Sequence, residues 1–307
     1  LVPAKEVIDW AESRGVAVAA FNFNNYEFLD AICKAAADLD VPVILATSEG
    51  GIRYMGIEVV RPMVEALVGR YGITAALHLD HGRSFETVLR AIRYGYTSVM
   101  IDASDKPYTE NVAITRRVVE VAKPLGITVE AELGVLAGVE DDVRAEKGIY
   151  TDPDEAKAFV EETGVDILAV AVGTSHGAYK FKGEPRIDVP RIRRIRDLTG
   201  VPLVLHGASG VYRDYAEKLG MNDARGVPDE VLKEAIRAGI RKVNTDTDLR
   251  MAFKVGVLEA LGEYSGIDPR KYLGRGREEV YRMAVRRLKV ISLGQGGTHF
   301  NGTDTTV

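Results

Sequence analysis

The residues best equipped for chemistry stand in Ala75-Ala76-Leu77-His78-Leu79-Asp80-His81-Gly82, where an apolar run ends in two histidines and an aspartate. The chain has five histidines. Three more, His176, His206 and His299, lie downstream, His176 shortly after an apolar run and His206 at the end of one. Imidazoles joined by a carboxylate satisfy a borderline-soft divalent ion such as zinc, with cobalt or iron suited to the same donors. His81, His176 and His206 are therefore candidate metal ligands, and Asp80 is a candidate to work beside them. The plain alternative is three unrelated histidines hydrogen-bonded in loops. His78 shares a strand face with Asp80 and reads as a supporting residue.

What must position these residues is an alternation of short apolar runs with longer amphipathic ones. Strands are expected at 16–23, 42–48, 74–80, 98–102, 128–133, 166–173, 202–206 and 242–245. Helical patterns are expected at 3–15, 26–40, 58–72, 84–95, 109–126, 153–164, 189–200, 228–239 and 249–264, with another at 277–289. Ser84 before Phe85-Glu86-Thr87 has the form of an N-cap, and glycines close most of the helices. Eight strand–helix units in unbroken alternation predict a closed (β/α)8 TIM barrel of class α/β, over about 16–264. An N-terminal helix precedes it, and a helical extension (267–293) and a tail (294–307) follow, all in one domain. A doubly wound open sheet would carry a glycine fingerprint after the first strand, and Phe21-Asn22-Phe23-Asn24-Asn25 has none.

On that frame polar residues fall at strand ends, the face where barrels do chemistry. Asn22, Ser48, Asp80-His81, Asp102, His206 and Asn244 close their strands, and His176 follows the sixth. Glu130 and Glu132 point to one face of the fifth strand, and such paired like charges need a cation or a partner. Two long connections, 134–152 and 174–188, lie on the same face as candidate lids. The first contains Glu140-Asp141-Asp142, a movable base or else solvated surface. His206-Gly207-Ala208-Ser209-Gly210 and Asn244-Thr245-Asp246-Thr247, after strands seven and eight, suit a phosphate. No expected strand carries a lysine inside the barrel for Schiff-base chemistry, since Lys242 opens the last strand at the wrong end. Metal chemistry on a carbonyl is the expectation.

Composition bounds the rest. Net charge −5 argues against a general nucleic-acid binder. The basic cluster 191–196 reads as a solvated helix face. The single cysteine, Cys33, excludes an internal disulfide and fits a reducing compartment. No run reaches membrane-spanning length, and Leu1-Val2-Pro3-Ala4-Lys5 is no secretory signal, so a cytoplasmic protein is expected.

Two stretches carry a family resemblance. Ala76-Leu77-His78-Leu79-Asp80-His81-Gly82 and Val129-Glu130-Ala131-Glu132-Leu133-Gly134-Val135-Leu136-Ala137-Gly138-Val139-Glu140-Asp141 resemble the two signatures of class II, metal-dependent fructose-bisphosphate aldolases. Gly173-Thr174-Ser175-His176-Gly177, Leu205-His206-Gly207-Ala208-Ser209-Gly210 and Val243-Asn244-Thr245-Asp246-Thr247-Asp248 resemble further family segments. The resemblance implies reversible aldol cleavage of fructose 1,6-bisphosphate to dihydroxyacetone phosphate and glyceraldehyde 3-phosphate, in glycolysis and gluconeogenesis. It implies that His81, His176 and His206 hold the metal and that Glu132 binds it in one of its positions. Asp80 would handle the C4 oxygen, and Glu140 would be the mobile base for the C1 proton of the dihydroxyacetone phosphate moiety. Asn22 and Asn244 would contact the enediolate and substrate hydroxyls, and Ser48, Asp246 and Arg270 the substrate's other end. Gly177, Gly207, Ser209 and Thr247 would hold the ketose phosphate, with a monovalent cation (Na+, K+ or NH4+) nearby. The family also implies a homo-oligomer, dimer or tetramer, in which Arg270 reaches a neighbouring subunit. The alternatives are a tagatose 1,6-bisphosphate aldolase and, from another class, a metal-dependent hydrolase on the same barrel.

Overall fold

Eight parallel strands close into one barrel in a computed structural model, which describes residues 1–140, 143–145, 148–178 and 186–296. The strands are Val18–Asn22, Val43–Ser48, Ala75–Gly82, Ser98–Ile101, Thr128–Leu133, Ile167–Val170, Leu203–Leu205 and Ile240–Thr245, numbered one to eight below. Each pairs with its neighbours in chain order, and strand one closes on strand eight through Val18↔Lys242 to Phe21↔Thr245. The (β/α)8 expectation therefore holds strand for strand. Ser84 caps the helix Phe85–Arg93 as its sequence suggests, accepting from the Thr87 amide at 3.1 Å. Gly164 and Gly200 end their helices at φ 66°, a left-handed conformation that side chains resist.

The bottom of the barrel is plugged by Ala4–Arg14, which buries Val7, Ile8 and Trp10. Burial of Val7 and Ile8 contributes about 1.5–3 kcal/mol each. Glu12 locks the plug, accepting from Arg241 Nε at 2.6 Å and from the Arg196 guanidinium. At the far end of the chain, Thr247–Glu263 and Pro269–Ile291 form an antiparallel helix pair, and the second helix also lies along Tyr26–Leu39. This last helix starts eight residues before the expected 277, since Asp268 caps it through the Arg270 amide.

Three further features depart from expectation. The stretch 134–152 carries a hairpin, Gly138–Glu140 with Val143–Ala145. Short helices Glu49–Met55 and Arg213–Lys218 occupy segments that read as loop. The barrel interior also holds a lysine. Lys242 lies two residues into strand eight, fully buried, with its Nζ 2.7 Å from Glu130 Oε2 on strand five across the barrel. The expectation of a lysine-free interior is thus wrong, because strand eight begins at Ile240 and carries Lys242 inward. Asp141, Asp142, His299 and most of the 294–307 tail lie outside the described residues.

Candidate active site

Asp80 and His81 are consecutive, and in a regular strand they would face opposite ways. The structure breaks that alternation. His81 has φ 48°, and the pairing of strand three with strand four shifts register between Leu79 and Gly82. This bulge brings ligand atoms of both Asp80 and His81 within 4.8 Å of each other and of His206. Gly82 makes it possible, since a Cβ there would lie 2.6 Å from the Met100 carbonyl oxygen. The His81 ring stands edge-on to His206 at 4.6 Å and to His176 at 5.2 Å between centroids. The three histidines converge as their strand-end positions suggest.

Two of the three imidazoles are aimed by a carboxylate. His81 Nδ1 meets Asp102 Oδ2 at 2.9 Å, and His206 Nε2 meets Glu130 Oε1 at 2.8 Å. Both carboxyls are held below the usual carboxylate range. Burial raises each, but the His81 hydrogen bond and charge outweigh it at Asp102, and Lys242 with His206 and His78 at Glu130. Ionised carboxylates accept, so His81 donates from Nδ1 and His206 from Nε2. That leaves His81 Nε2 and His206 Nδ1 for a ligand. His176 is fixed through its backbone, its amide donating to the Ala137 carbonyl at 2.8 Å. His78, bonded to Ser98 Oγ at 2.8 Å, lies 3.6 Å from Glu130, a supporting place as expected.

The expected glutamate pair divides its work. Glu130 is consumed by Lys242 and His206, whereas buried Glu132 Oε2 has no hydrogen-bond partner among the described residues. Buried His81 Nε2 is likewise without one. Unpaired buried polar atoms are costly, and a divalent cation that displaces their protons satisfies both. The residues therefore fit a metal ion.

Asp80 is clasped. Asn22 Nδ2 donates to its Oδ2 at 2.8 Å and Asn244 Nδ2 to its Oδ1 at 2.9 Å. Burial raises the Asp80 carboxyl, but His81, His206, Lys242 and His78 together hold it below its ordinary value. Around it, burial and the Lys242 charge push His78 down to about 3. His81 goes the other way: burial lowers it, but Asp80 and Asp102 raise it to about 10. Burial and then the Asp102 charge push Glu132 well above the usual carboxylate range, against His81.

The remaining expected residues take these places. Ser48 ends strand two opposite Asp80 and caps Glu49–Met55 by accepting from the Gly51 amide. Gly207, at φ 62°, passes the Ser175 carbonyl so closely that a Cβ would sit 2.5 Å from it. Gly177 also has positive φ, and Ser209 is buried. Thr247 opens its helix, and Asp246 before it receives Arg250 through two 2.8 Å contacts. The backbone of Glu140 ends the first hairpin strand, and its side chain lies outside the described part of the molecule. Arg270 is not brought to the histidines: its side chain is 89% exposed and paired with Asp268.

Sequence reasoning gave no role to four residues that shape the site. Asp102 was visible only as a polar strand end, and its pairing with His81 depends on register between two strands. Lys242 reads from the sequence as the outer start of its strand, whereas it lies buried inside the barrel. Asp248 accepts the Gly210 and Val211 amides at 2.8 and 2.7 Å, and fully buried Arg287, from the last helix, donates to Ala208 O at 3.0 Å. Together they set the 207–211 turn from outside it, and an Arg–Asp pair 39 positions apart carries no local signal.

Comparison with known proteins agrees with this geometry. The family described as "Fructose-bisphosphate aldolase class-II" matches residues 2–295. A fructose-bisphosphate aldolase of Thermus caldophilus is 49% identical over 298 residues, spanning 94% of this chain and 97% of its own. One from Giardia intestinalis is 43% identical, spanning 97% and 95%. Among solved structures, the YdjI aldolase of Escherichia coli K12 superposes with TM-score 0.79 at 33% identity, covering 94% of this chain and 97% of that one.

Proposed function

The chain belongs to the class II fructose-bisphosphate aldolase family, and we propose that the site described above is where it cleaves fructose 1,6-bisphosphate reversibly to dihydroxyacetone phosphate and glyceraldehyde 3-phosphate. It is a carbon–carbon lyase. The family and the relatives' names favour fructose over the tagatose alternative.

His81, His176 and His206 would hold a divalent ion, with Glu132 as a further carboxylate. Zinc is the ion we propose, with cobalt or iron as chemical equivalents. Once bound, such an ion supplies Lewis-acid polarisation of the substrate's ketone and adjacent hydroxyl. The chain's own groups do the rest. Asp80, kept ionised and immobile between Asn22 and Asn244, takes the C4 hydroxyl proton. The C3–C4 bond breaks, and its electron pair stays on the ketose phosphate fragment. Glu140, carried by the hairpin, returns a proton to that carbon. The Oδ1 atoms of Asn22 and Asn244 have no hydrogen-bond partner among the described residues and suit substrate hydroxyls. Gly177, Gly207, Ser209 and Thr247 would receive the ketose phosphate beside a monovalent cation, and Ser48 and Asp246 the other end. Arg270, exposed on the last helix, would serve a neighbouring subunit of a dimer or tetramer. No described helix is long and apolar enough to cross a membrane.

The observation that carries this reading is the clasped Asp80 within 4.8 Å of ligand atoms of His81 and His206. Asp80→Asn is expected to keep its zinc, measured by elemental analysis, and to lose about 10²–10⁴-fold in triose phosphate production. Turnover within tenfold of native, or release of inorganic phosphate in place of trioses, would overturn it. The second result would favour the hydrolase alternative. Assaying both sugar bisphosphates on the same sample decides the substrate.

A further inference from the structure

The site offers two overlapping groups of metal donors. One joins His81 with Asp80 and His206, and the other joins His81 with Asp102 and Glu132, each set of ligand atoms lying within 4.8 Å. The second group is already served by a cation of the protein's own. Arg83 NH1 donates to Asp102 Oδ2 at 3.1 Å, the same oxygen that receives His81 Nδ1 at 2.9 Å. The other oxygen, Oδ1, accepts from the Ser104 amide at 3.1 Å and the Ser104 hydroxyl at 2.7 Å. A carboxylate has about four lone-pair positions, and four donors fill those of Asp102. The guanidinium is itself pinned from outside, its NH2 donating to Asp105 Oδ2 at 2.7 Å, and the Arg83 amide donates to Glu49 Oε1 at 2.8 Å.

We infer that Arg83 is the resident counter-cation of Asp102 and confines the site to one divalent ion. This rests on the metal reading given above and sharpens it. Asp102 is a positioning residue: it holds His81 by Nδ1 so that Nε2 faces the ion, and it gives no lone pair to metal. Coordination by Asp102 would require a donor to leave and a divalent charge to stand beside a permanent guanidinium. Arginine suits this task, because it keeps its charge at any working pH and its planar fork spans two carboxylates at once. Glu132, whose Oε2 no described group meets, remains available to the single ion.

The test is metal stoichiometry on the full-length protein, stripped with chelator and dialysed against buffered zinc, with bound metal counted per chain by elemental analysis. The native protein is expected to hold one ion. Arg83→Met, which keeps the stem and removes the charge, is expected to take up a second, and Arg83→Met with Asp102→Asn is expected to return to one. Circular dichroism monitors the fold. Asp105→Ala, a surface change that cuts only the outer anchor, is expected to let a second ion bind more weakly than Arg83→Met does. Two ions of similar affinity in the native protein, or one ion in well-folded Arg83→Met, would overturn the inference. A native protein that retains no zinc would instead bring down the metal reading beneath it.

Discussion

Lys242→Met tests whether the charges beneath the histidines are a matched set. The ammonium lies 2.7 Å from Glu130 Oε2, and both side chains are fully buried. At an effective dielectric near 20 this contact is worth about 6 kcal/mol gross, and breaking such a pair costs about 3–5 kcal/mol net. A second route to the number comes from protonation. With its partner gone, Glu130 escapes as the neutral acid, which at pH 7 costs a carboxyl of ordinary pKa 4.5 about 3.4 kcal/mol. The two agree, so a loss of about 3–4 kcal/mol at pH 7 is expected. The sign of the pH dependence follows. Native Glu130 has a depressed pKa, so the stability it confers is present above 4.5 and fades as pH falls. The difference between native and variant should therefore shrink by about 1.4 kcal/mol per pH unit toward pH 5. Lys242→Met with Glu130→Gln, an uncharged pair that still accepts from His206, should regain most of the loss. Denaturant unfolding of the metal-stripped proteins at pH 7 and 5.5 measures all three. A loss under about 1 kcal/mol, no pH dependence, or a double variant no better than the single one would refute the reasoning.

Two other outcomes follow from the site. Gly82→Ala places a methyl 2.6 Å from the Met100 carbonyl oxygen and 2.9 Å from Leu79, so strand three must shift. A stability loss above about 3 kcal/mol in thermal unfolding is expected, with zinc affinity reduced at least about tenfold; a variant with native zinc affinity would show that the bulge is dispensable. Zinc binding should also release protons, because His81 is raised to about 10 and Glu132 well above its usual range, and both must be deprotonated to coordinate. Calorimetry in buffers of different ionisation enthalpy should count about one to two protons, with apparent affinity still rising from pH 6 to 8. An affinity that levels off near pH 6.5 would mean an unshifted histidine.

Much of this was legible in the chain. The strands are legible as short, mostly apolar runs between amphipathic helices, because parallel strands covered on both faces show little polar surface outside the site. The three histidines and Asp80 could be grouped because each closes a strand, and barrel topology converts strand ends into neighbours. What stayed hidden depends on register. Lys242 sits in Ile240–Thr245, and a strand that starts at 242 puts its charge at the bottom rim, away from the site, when it is in fact inside the barrel. His81–Asp102 and Arg83–Asp102 span 21 and 19 positions and become visible only once strands three and four are aligned with their bulge. The short helix Glu49–Met55 hid behind Glu49-Gly50-Gly51, whose glycines read as a turn while Ser48 was capping a helix.

The left-handed His81 has a consequence for transplanting this chemistry. The sequence His-Leu-Asp-His looks portable, a ligand and an acid in four residues. Grafted onto an even strand of another barrel, it would send the acid inward and the ligand outward into the helices. The portable unit is larger: His81 at positive φ, Gly82 slipped beneath the Met100 carbonyl, and Asp102 one strand over to seize the turned ring. A designer who copies the four letters without that glycine, and without the neighbouring strand's end, copies the spelling and loses the pronunciation.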